Sequence, residues 1–328
     1  ITENLNYSFS TGNWGIKGQE STNTGISQKY DRLNYLSALS ILRRSANNTI
    51  DPNLKKSALK SFSVNHIFNY SINDNELLSN ALKSENWNAV ICLAAWGGDG
   101  NGLLKAANED FRKALEVNVS GFANLLDKMK NFNNTKFFWS SSTVVYGEES
   151  IYFNKKVNEK STLSPITHYG LTKVLAEEVS NFFIREYKMN ITGLRLPIVI
   201  GPGLNYRGVA SGVSDMANAT KEKRDIIVDM PDTPLDIIYV KDVPEIFIKL
   251  INSKLILKNI YNAPSYRTYA DQIANHFNKH TNTSNVKINN IGSGTTYPKM
   301  QANSFQKDIK YSLKYTLEKS IKDWINEL

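Results

Sequence analysis

From about residue 59 the chain alternates patterns typical of strands with patterns typical of helices. The run at residues 89–95 (AVICLAA) is apolar without interruption, as expected for a strand buried on both faces of a parallel sheet. Further strands are predicted at 136–140 and 191–195, with a long helix at 168–188 between them. Other helices are predicted at 108–117, 121–131 and 242–251. This alternation predicts an α/β fold, with helices covering both faces of a parallel sheet.

Two changes in this rhythm predict the domain organisation. After Gly201-Pro202-Gly203, short strands mix with helices, which indicates a smaller C-terminal α+β lobe at residues 201–328 beside a main body at 59–200. Residues 1–58 contain polar turns and several glycines and do not follow the alternation. The sequence therefore predicts three parts: 1–58, 59–200 and 201–328.

Composition excludes several classes of protein. Of 328 residues, 41% are hydrophobic and 21% are charged, as in ordinary soluble globular chains. The net charge of +8 is spread along the chain, so it does not predict a nucleic-acid partner by itself. Neither a secretory signal nor a membrane span is predicted. Cys92, the single cysteine, is expected to be a buried apolar residue, and a reducing, cytoplasmic setting follows.

A tyrosine and a lysine lie one helical turn apart in the helix predicted at 168–188. Tyr169 and Lys173 are separated by about 40° around the helix axis, and both lie away from the centre of its apolar stripe. A tyrosine that served only the core would share that stripe, so the pattern indicates a chemical role. The stripe comprises Leu171, Val174, Leu175, Val179, Phe182 and Phe183.

This pair and a nearby serine run form a pattern typical of proton transfer. A tyrosine with a pKa near ~10 is a poor base at neutral pH, and an ammonium within ~4–6 Å lowers that pKa. The serine run 140–142 ends a predicted strand, and ligands bind at the carboxyl ends of strands in open α/β sheets. We expect Ser142 to hydrogen-bond a reacting hydroxyl or carbonyl group there.

Several segments carry a resemblance to a known family. They are NAVICLAAW, EVNVSGFANLL, FFWSSSTVVYG, HYGLTK, LRLPIVIGPG and DIIYVKDV. Through them, residues 62–328 resemble the extended short-chain dehydrogenase/reductases, the NAD-dependent epimerase/dehydratase family. The resemblance implies a Rossmann-like nucleotide-binding body at 59–200 and a substrate lobe at 201–328.

The resemblance also implies an activity and its residues. An oxidoreductase or epimerase of this type transfers a hydride at a carbinol carbon. Tyr169 would be the general acid/base, Lys173 would lower its pKa and hold the nicotinamide ribose, and Ser142 would orient the substrate. The cofactor would be NAD or NADP, with NAD favoured, and the partners a small-molecule substrate and a second copy in a homodimer. No metal is expected.

Three further residues are expected to line the cofactor cleft by the same resemblance: Ala94, Ala95 and Asn118. For Asn118 an equally weighted interpretation is structural: a buried side chain that ties the start of a helix to a neighbouring loop.

Two positions depart from the pattern of the nucleotide-sugar enzymes in this family. Ile198 stands where many of them have Asn, and Leu235 where they have an Arg for the pyrophosphate; neither side chain can bind a diphosphate. The segment PDTPLDIIYVKD is more similar to relatives that oxidise small hydroxy acids or a hydroxy amino acid, such as the short-chain threonine dehydrogenases. The expected substrate is a small hydroxy acid or a sugar derivative. Arg207 could bind a carboxylate of the substrate, but the preferred interpretation is a solvated loop residue.

The N-terminal segment conflicts with the family pattern. Gly12, Gly15 and Gly18 have the spacing of the family's cofactor loop, but the polar stretch 19–25 delays the helix whose N-terminus must meet the phosphates. We therefore predict that this loop does not lie between a strand and a helix, and that the first βαβ unit is missing or replaced. Instead, TGNWG, TGISQ, DRLNYLSALS and LRR resemble the fork-region domain of the second-largest subunit of multisubunit RNA polymerases.

Three functions follow from these observations. The first is an active NAD(P)-dependent oxidoreductase or epimerase. The second is a catalytically silent chain that lacks the dinucleotide loop. The third is a polymerase fragment, associated with nucleic acid and fused to a dehydrogenase-like body.

Overall fold

The computed structural model describes residues 72–83, 87–98, 102–132, 134–204, 208 and 210–328. The polymerase-like segment, the glycine spacing at residues 12–18 and Arg207 lie outside these ranges. So does the region in which the first βαβ unit is expected to be missing or replaced.

Helices and strands alternate through the first half of the described chain, as predicted. One departure concerns the two separate helices expected at 108–117 and 121–131. In the structure a π-helical turn connects the helices of this region without an intervening loop. The elements are α1 (Asn75–Lys83), β1 (Ala89–Cys92), α2 (Leu103–Glu109), α3 (Phe111–Leu115), the π-turn (Glu116–Gly121), α4 (Phe122–Met129), β2 (Lys136–Ser142), β3 (Lys156–Val157), α5 (His168–Tyr187) and β4 (Ile191–Leu196).

The second half mixes short strands with helices, which also agrees with the sequence. Its elements are β5 (Ile198–Ile200), α6 (Ser211–Lys221), β6 (Ile226–Met230), β7 (Leu235–Tyr239), α7 (Asp242–Ile251), β8 (Ile260–Asn262), β9 (Tyr266–Thr268), α8 (Ala270–His280), β10 (Val286–Asn290), β11 (Lys299–Met300), α9 (Asn303–Ile309) and α10 (Leu317–Ile325).

The main sheet has four parallel strands in the order β1-β2-β4-β8. Side chains alternate across it, as the pleat of a strand requires. Phe137 and Trp139 pack on one face with residues of α1, α4 and α5, whereas Phe138 packs on the other face with residues of α7 and α9. Cys92 is buried in β1, as predicted. This arrangement confirms an α/β fold with helices on both faces of a parallel sheet.

A second core lies in the C-terminal half of the chain. It includes residues of the three-stranded sheet β5-β7-β9 and of the parallel pair β6 and β10, and helices α6, α8 and α10 cover it. Phe277 and Trp324 meet between α8 and α10 with ring centroids 5.9 Å apart. Within the described ranges, no helix has both the length and the apolar character that crossing a membrane requires.

Candidate active site at the carboxyl ends of the parallel strands

Helix α5 buries several polar residues against the sheet and exposes half of its apolar stripe. Tyr169 and Lys173 are only 4% and 3% exposed, whereas Leu171, Leu175 and Phe182 of the stripe are exposed. Of the other stripe residues, Phe183 is buried and Val174 and Val179 are partly buried, so the expectation that the stripe marks the core side of the helix is correct only in part. Buried polar side chains are stable where they are hydrogen-bonded, and the buried face of α5 has such bonds.

The structure brings Lys173 and Tyr169 together. The Lys173 ammonium lies 5.6 Å from the centroid of the Tyr169 ring, and it donates a 2.8 Å hydrogen bond to the carbonyl oxygen of Ser140. Burial lowers the pKa of Lys173 to about 8, against smaller opposing effects of Cys92 and Glu177. A cation that is held so near a phenol favours its ionised form.

Ser142 is the last residue of β2, at the carboxyl end of the sheet. Its Oγ accepts a 3.4 Å hydrogen bond from the backbone N–H of Val144 and so begins the 3₁₀ turn 143–145. A hydroxyl oxygen that accepts one bond keeps its O–H for a second partner. Helix α5 starts against this turn: a Cβ on Gly170 would lie 2.3 Å from the carbonyl oxygen of Val144. Glycine is therefore required for this close approach.

Ala94, Ala95 and Asn118 lie near the end of β1. Ala95 is buried in the apolar cluster that contains the site tyrosine, and Ala94 is partly buried. Asn118, in the π-turn, accepts a 2.7 Å hydrogen bond from the backbone N–H of Trp96 and donates one of 2.9 Å to Thr172 Oγ1. These bonds connect a helix to a neighbouring loop, as the structural interpretation of Asn118 predicts.

A buried polar network beneath the site was missed at the sequence level. Arg195 of β4 donates hydrogen bonds of 2.9 and 2.6 Å to the two oxygens of Glu177, and another of 2.6 Å to the hydroxyl of Tyr146. Ser141 donates to the same carboxylate at 2.6 Å. The network joins β2, α5 and β4. The available signal was an arginine in an otherwise apolar strand, with Glu177 one turn after Lys173.

Two buried polar groups at this edge of the sheet fit a polar ligand. Thr143 Oγ1, just after β2, and Trp96 Nε1, in the loop after β1, are buried and make no hydrogen bond to any described residue. Such groups are uncommon in folded proteins, and each one calls for an explanation. They suit a polar ligand such as a dinucleotide better than an apolar one.

Known proteins share this architecture. The L-threonine 3-dehydrogenase of Trypanosoma brucei superposes with a TM-score of 0.71 at 15% identity, over 90% of this chain and 94% of that one. The UDP-glucuronic acid 4-epimerase of Bacillus cereus, solved with UDP-glucuronic acid and NAD, superposes with a TM-score of 0.68 at 20% identity, over 84% and 86% of the two chains. At these identities the likeness shows the fold.

Curated proteins also match this chain in sequence. UDP-glucuronate 4-epimerase 4 of Arabidopsis thaliana is 34% identical over 160 residues, which are 48% of this chain and 35% of that protein. The matched segment therefore spans about a third of the length of this relative.

The expected polymerase resemblance of residues 1–58 has no support in these comparisons. The model of the NAD dependent epimerase/dehydratase family matches from residue 25, inside that segment. Short motifs such as TGNWG and LRR carry a risk of chance matches. The division at residue 58 stays a prediction.

The family assignment does not depend on the fold alone. The model of the NAD dependent epimerase/dehydratase family matches residues 25–263, a range that contains the serine run, the Tyr169–Lys173 pair and the network around Arg195. The chain belongs to the NAD-dependent epimerase/dehydratase family.

Proposed function

We propose that this chain is an active NAD-dependent oxidoreductase or epimerase in which Tyr169, Lys173 and Ser142 serve hydride transfer at a carbinol carbon. The observation that carries the proposal is the buried Tyr169–Lys173 pair, in a helix whose first turn packs on the turn after Ser142. A buried tyrosine beside a buried lysine is costly as mere packing, because the ammonium loses its hydration. A role in proton transfer accounts for both residues.

Each side chain has a distinct task in this proposal. Ser142 donates a hydrogen bond to the substrate oxygen and holds it near Tyr169. The Tyr169 phenolate accepts the proton of the substrate hydroxyl, and the Lys173 ammonium stabilises that phenolate. Bound NAD would accept the hydride from the carbon that carries this hydroxyl. Because Tyr169 is buried, little water competes for the proton.

We further propose a small hydroxy acid or a sugar derivative as the substrate. Leu235 is 8% exposed and packs in the core of the C-terminal half, and Ile198 packs partly buried against that core. Neither side chain offers a donor to phosphate oxygens. These two positions favour a substrate without a diphosphate over the UDP-sugar of the relatives.

The test is turnover by the Tyr169→Phe variant. We expect the wild-type chain to turn over at least one member of a panel of hydroxy acids, hydroxy amino acids and unphosphorylated sugars. Net NADH formation would report an oxidoreductase, and formation of the epimer without net NADH would report an epimerase. Tyr169→Phe should lose this activity by a factor of about 10²–10⁴ and still bind NADH. Tyr187→Phe, at the exposed end of the same helix, is the matched control and should keep full turnover.

Undiminished turnover in Tyr169→Phe would rule out the proposed base. A wild-type chain that binds NADH and turns over only UDP-sugars would contradict the substrate class but not the base. A chain that neither binds NADH nor turns over any of these substrates would support the catalytically silent alternative, which saturable NADH binding would exclude.

A further inference from the structure

Two histidines and a glutamate meet on the surface between α8 and α10, in the C-terminal half of the chain. His276 and His280 lie four residues apart and therefore on one face of α8. Glu318, in the first turn of α10, faces them. One ring nitrogen from each histidine and one carboxylate oxygen all lie within 4.8 Å of one another.

From this cluster we propose a second site: His276, His280 and Glu318 bind a divalent transition-metal ion of the Zn²⁺ class. Two imidazoles and one carboxylate form a donor set that suits zinc, with a fourth position left for water. The proposal is independent of the NAD chemistry at α5.

The hydrogen bonds of the two histidines support a ligand. His276 Nδ1 and His280 Nε2 are both buried from solvent, and neither makes a hydrogen bond to a described residue. His280 Nε2 lies 3.3 Å from Glu318 Oε1, but without the alignment of a hydrogen bond. In an ordinary surface network of ion pairs, these nitrogens would point at a donor, an acceptor or bulk water.

Rigid packing beneath the cluster keeps the three groups near one another. Phe277, next to His276 in the chain, packs on Trp324 of α10, and Ile273 and Ile321 are fully buried in the same core. Zinc–ligand bonds of about 2.0–2.1 Å bring tetrahedral ligand atoms to roughly 3.3 Å apart. Binding would therefore bring the ligand atoms closer together than the 4.8 Å within which they lie here.

The charges around the cluster also favour a cation. His280 is the last residue of α8, where the helix dipole is negative. The Glu318 carboxylate adds a negative charge to the same cluster.

Lys279 is the group that a metal ion would displace. Its ammonium lies 2.7 Å from Glu318 Oε1, and its side chain is 61% exposed. Exposed ion pairs of this kind are weak, so the lysine can turn into solvent when a metal ion takes its place.

Titration of the untagged full chain with Zn²⁺, followed by calorimetry, tests the proposal. We expect saturable binding of one ion per chain, removed by a chelator, with a rise in the thermal unfolding midpoint. His276→Gln/His280→Gln should weaken Zn²⁺ binding at least tenfold and abolish the rise. Lys279→Ala, which frees the Glu318 carboxylate, should tighten it. Co²⁺ should give the visible absorption of a tetrahedral site in the wild-type chain and not in the double variant.

The matched control replaces the other two of the four histidines, His66 and His168, with Gln. This variant should bind Zn²⁺ as the wild-type chain does. Absence of saturable binding in the wild-type chain would overturn the proposal. Equal affinity in the wild-type chain and the His276→Gln/His280→Gln variant would do so as well.

Discussion

Lys173 is a cation that the fold buries beside a tyrosine, and its ionisation links the candidate site to the stability of the chain. Nearly all of its surface is removed from water, and one carbonyl oxygen, that of Ser140, accepts a hydrogen bond from its ammonium. Replacing water by so few partners disfavours the charged form, which is why its pKa falls to about 8.

This shift predicts a pH dependence of folding. An unfolded lysine titrates near ~10.4, so between pH ~8 and ~10.4 the unfolded chain binds more protons than the folded one. The free energy of unfolding therefore rises with pH in this window, by up to about 3 kcal/mol from this group. Below it, both states are protonated and the full cost of the buried charge is present.

Urea unfolding of the wild-type chain and Lys173→Met at pH 7 and pH 10 measures this effect. The stability of the variant relative to the wild-type chain should be highest at pH 7 and should fall toward pH 10. Lys105→Met, at a side chain that is 61% exposed, is the control and should show a constant difference. A constant difference for Lys173→Met too would argue against a buried ammonium.

At the scale of the elements, the contact between α5 and the turn after β2 depends on Gly170. Because an added Cβ would lie 2.3 Å from the Val144 carbonyl oxygen, Gly170→Ala must push the helix away from the turn. We expect a loss of about 1–3 kcal/mol of stability and a fall in kcat of ~10–100-fold, since Tyr169 and Ser142 separate.

Steady-state kinetics and urea unfolding of Gly170→Ala test this contact, with Glu178→Ala, at an exposed position of the same helix, as control. Wild-type kcat in Gly170→Ala would show that the close approach does not position the site.

The network of Glu177 with Arg195 makes a second prediction at this scale. Both side chains are almost fully buried, and Glu177→Gln leaves the guanidinium without its counter-charge. Removing one partner of a buried ion pair costs about 3–5 kcal/mol. The exposed pair of Arg185 with Glu186 is the matched control, and Glu186→Gln should cost less than about 1 kcal/mol. Equal losses in the two variants, measured by urea unfolding, would contradict this account.

The order of the elements could be predicted from the sequence, but the orientation of α5 could not. Hydrophobic periodicity locates helices and strands, and α7 begins and ends at the predicted residues. Periodicity fails where the buried face of a helix is polar: α5 buries Lys173 and Glu177 because partners distant in sequence satisfy them. Those partners, and the bonds of Asn118 to Trp96 and Thr172, become visible only when the chain is folded.

At the scale of the whole molecule, the exposed part of the apolar stripe of α5 bears on the predicted homodimer. Leu171, Leu175 and Phe182 lie on one exposed face, and apolar surface in a stripe is typical of an interface. If copies pair through it, Phe182→Asp should shift the mass in light scattering from dimer to monomer, with Glu178→Ala unchanged. A monomeric wild-type chain at micromolar concentration would contradict the prediction.

The central claim is that this chain is an active member of its family and holds NAD at the carboxyl ends of β1, β2 and β4. Titration of the full chain with NADH, followed by nicotinamide fluorescence, tests it most directly. We predict saturable binding of one NADH per chain that Lys173→Met weakens at least tenfold and Glu178→Ala leaves unchanged. Absence of saturable binding, or equal affinity in the wild-type chain and Lys173→Met, would contradict the claim.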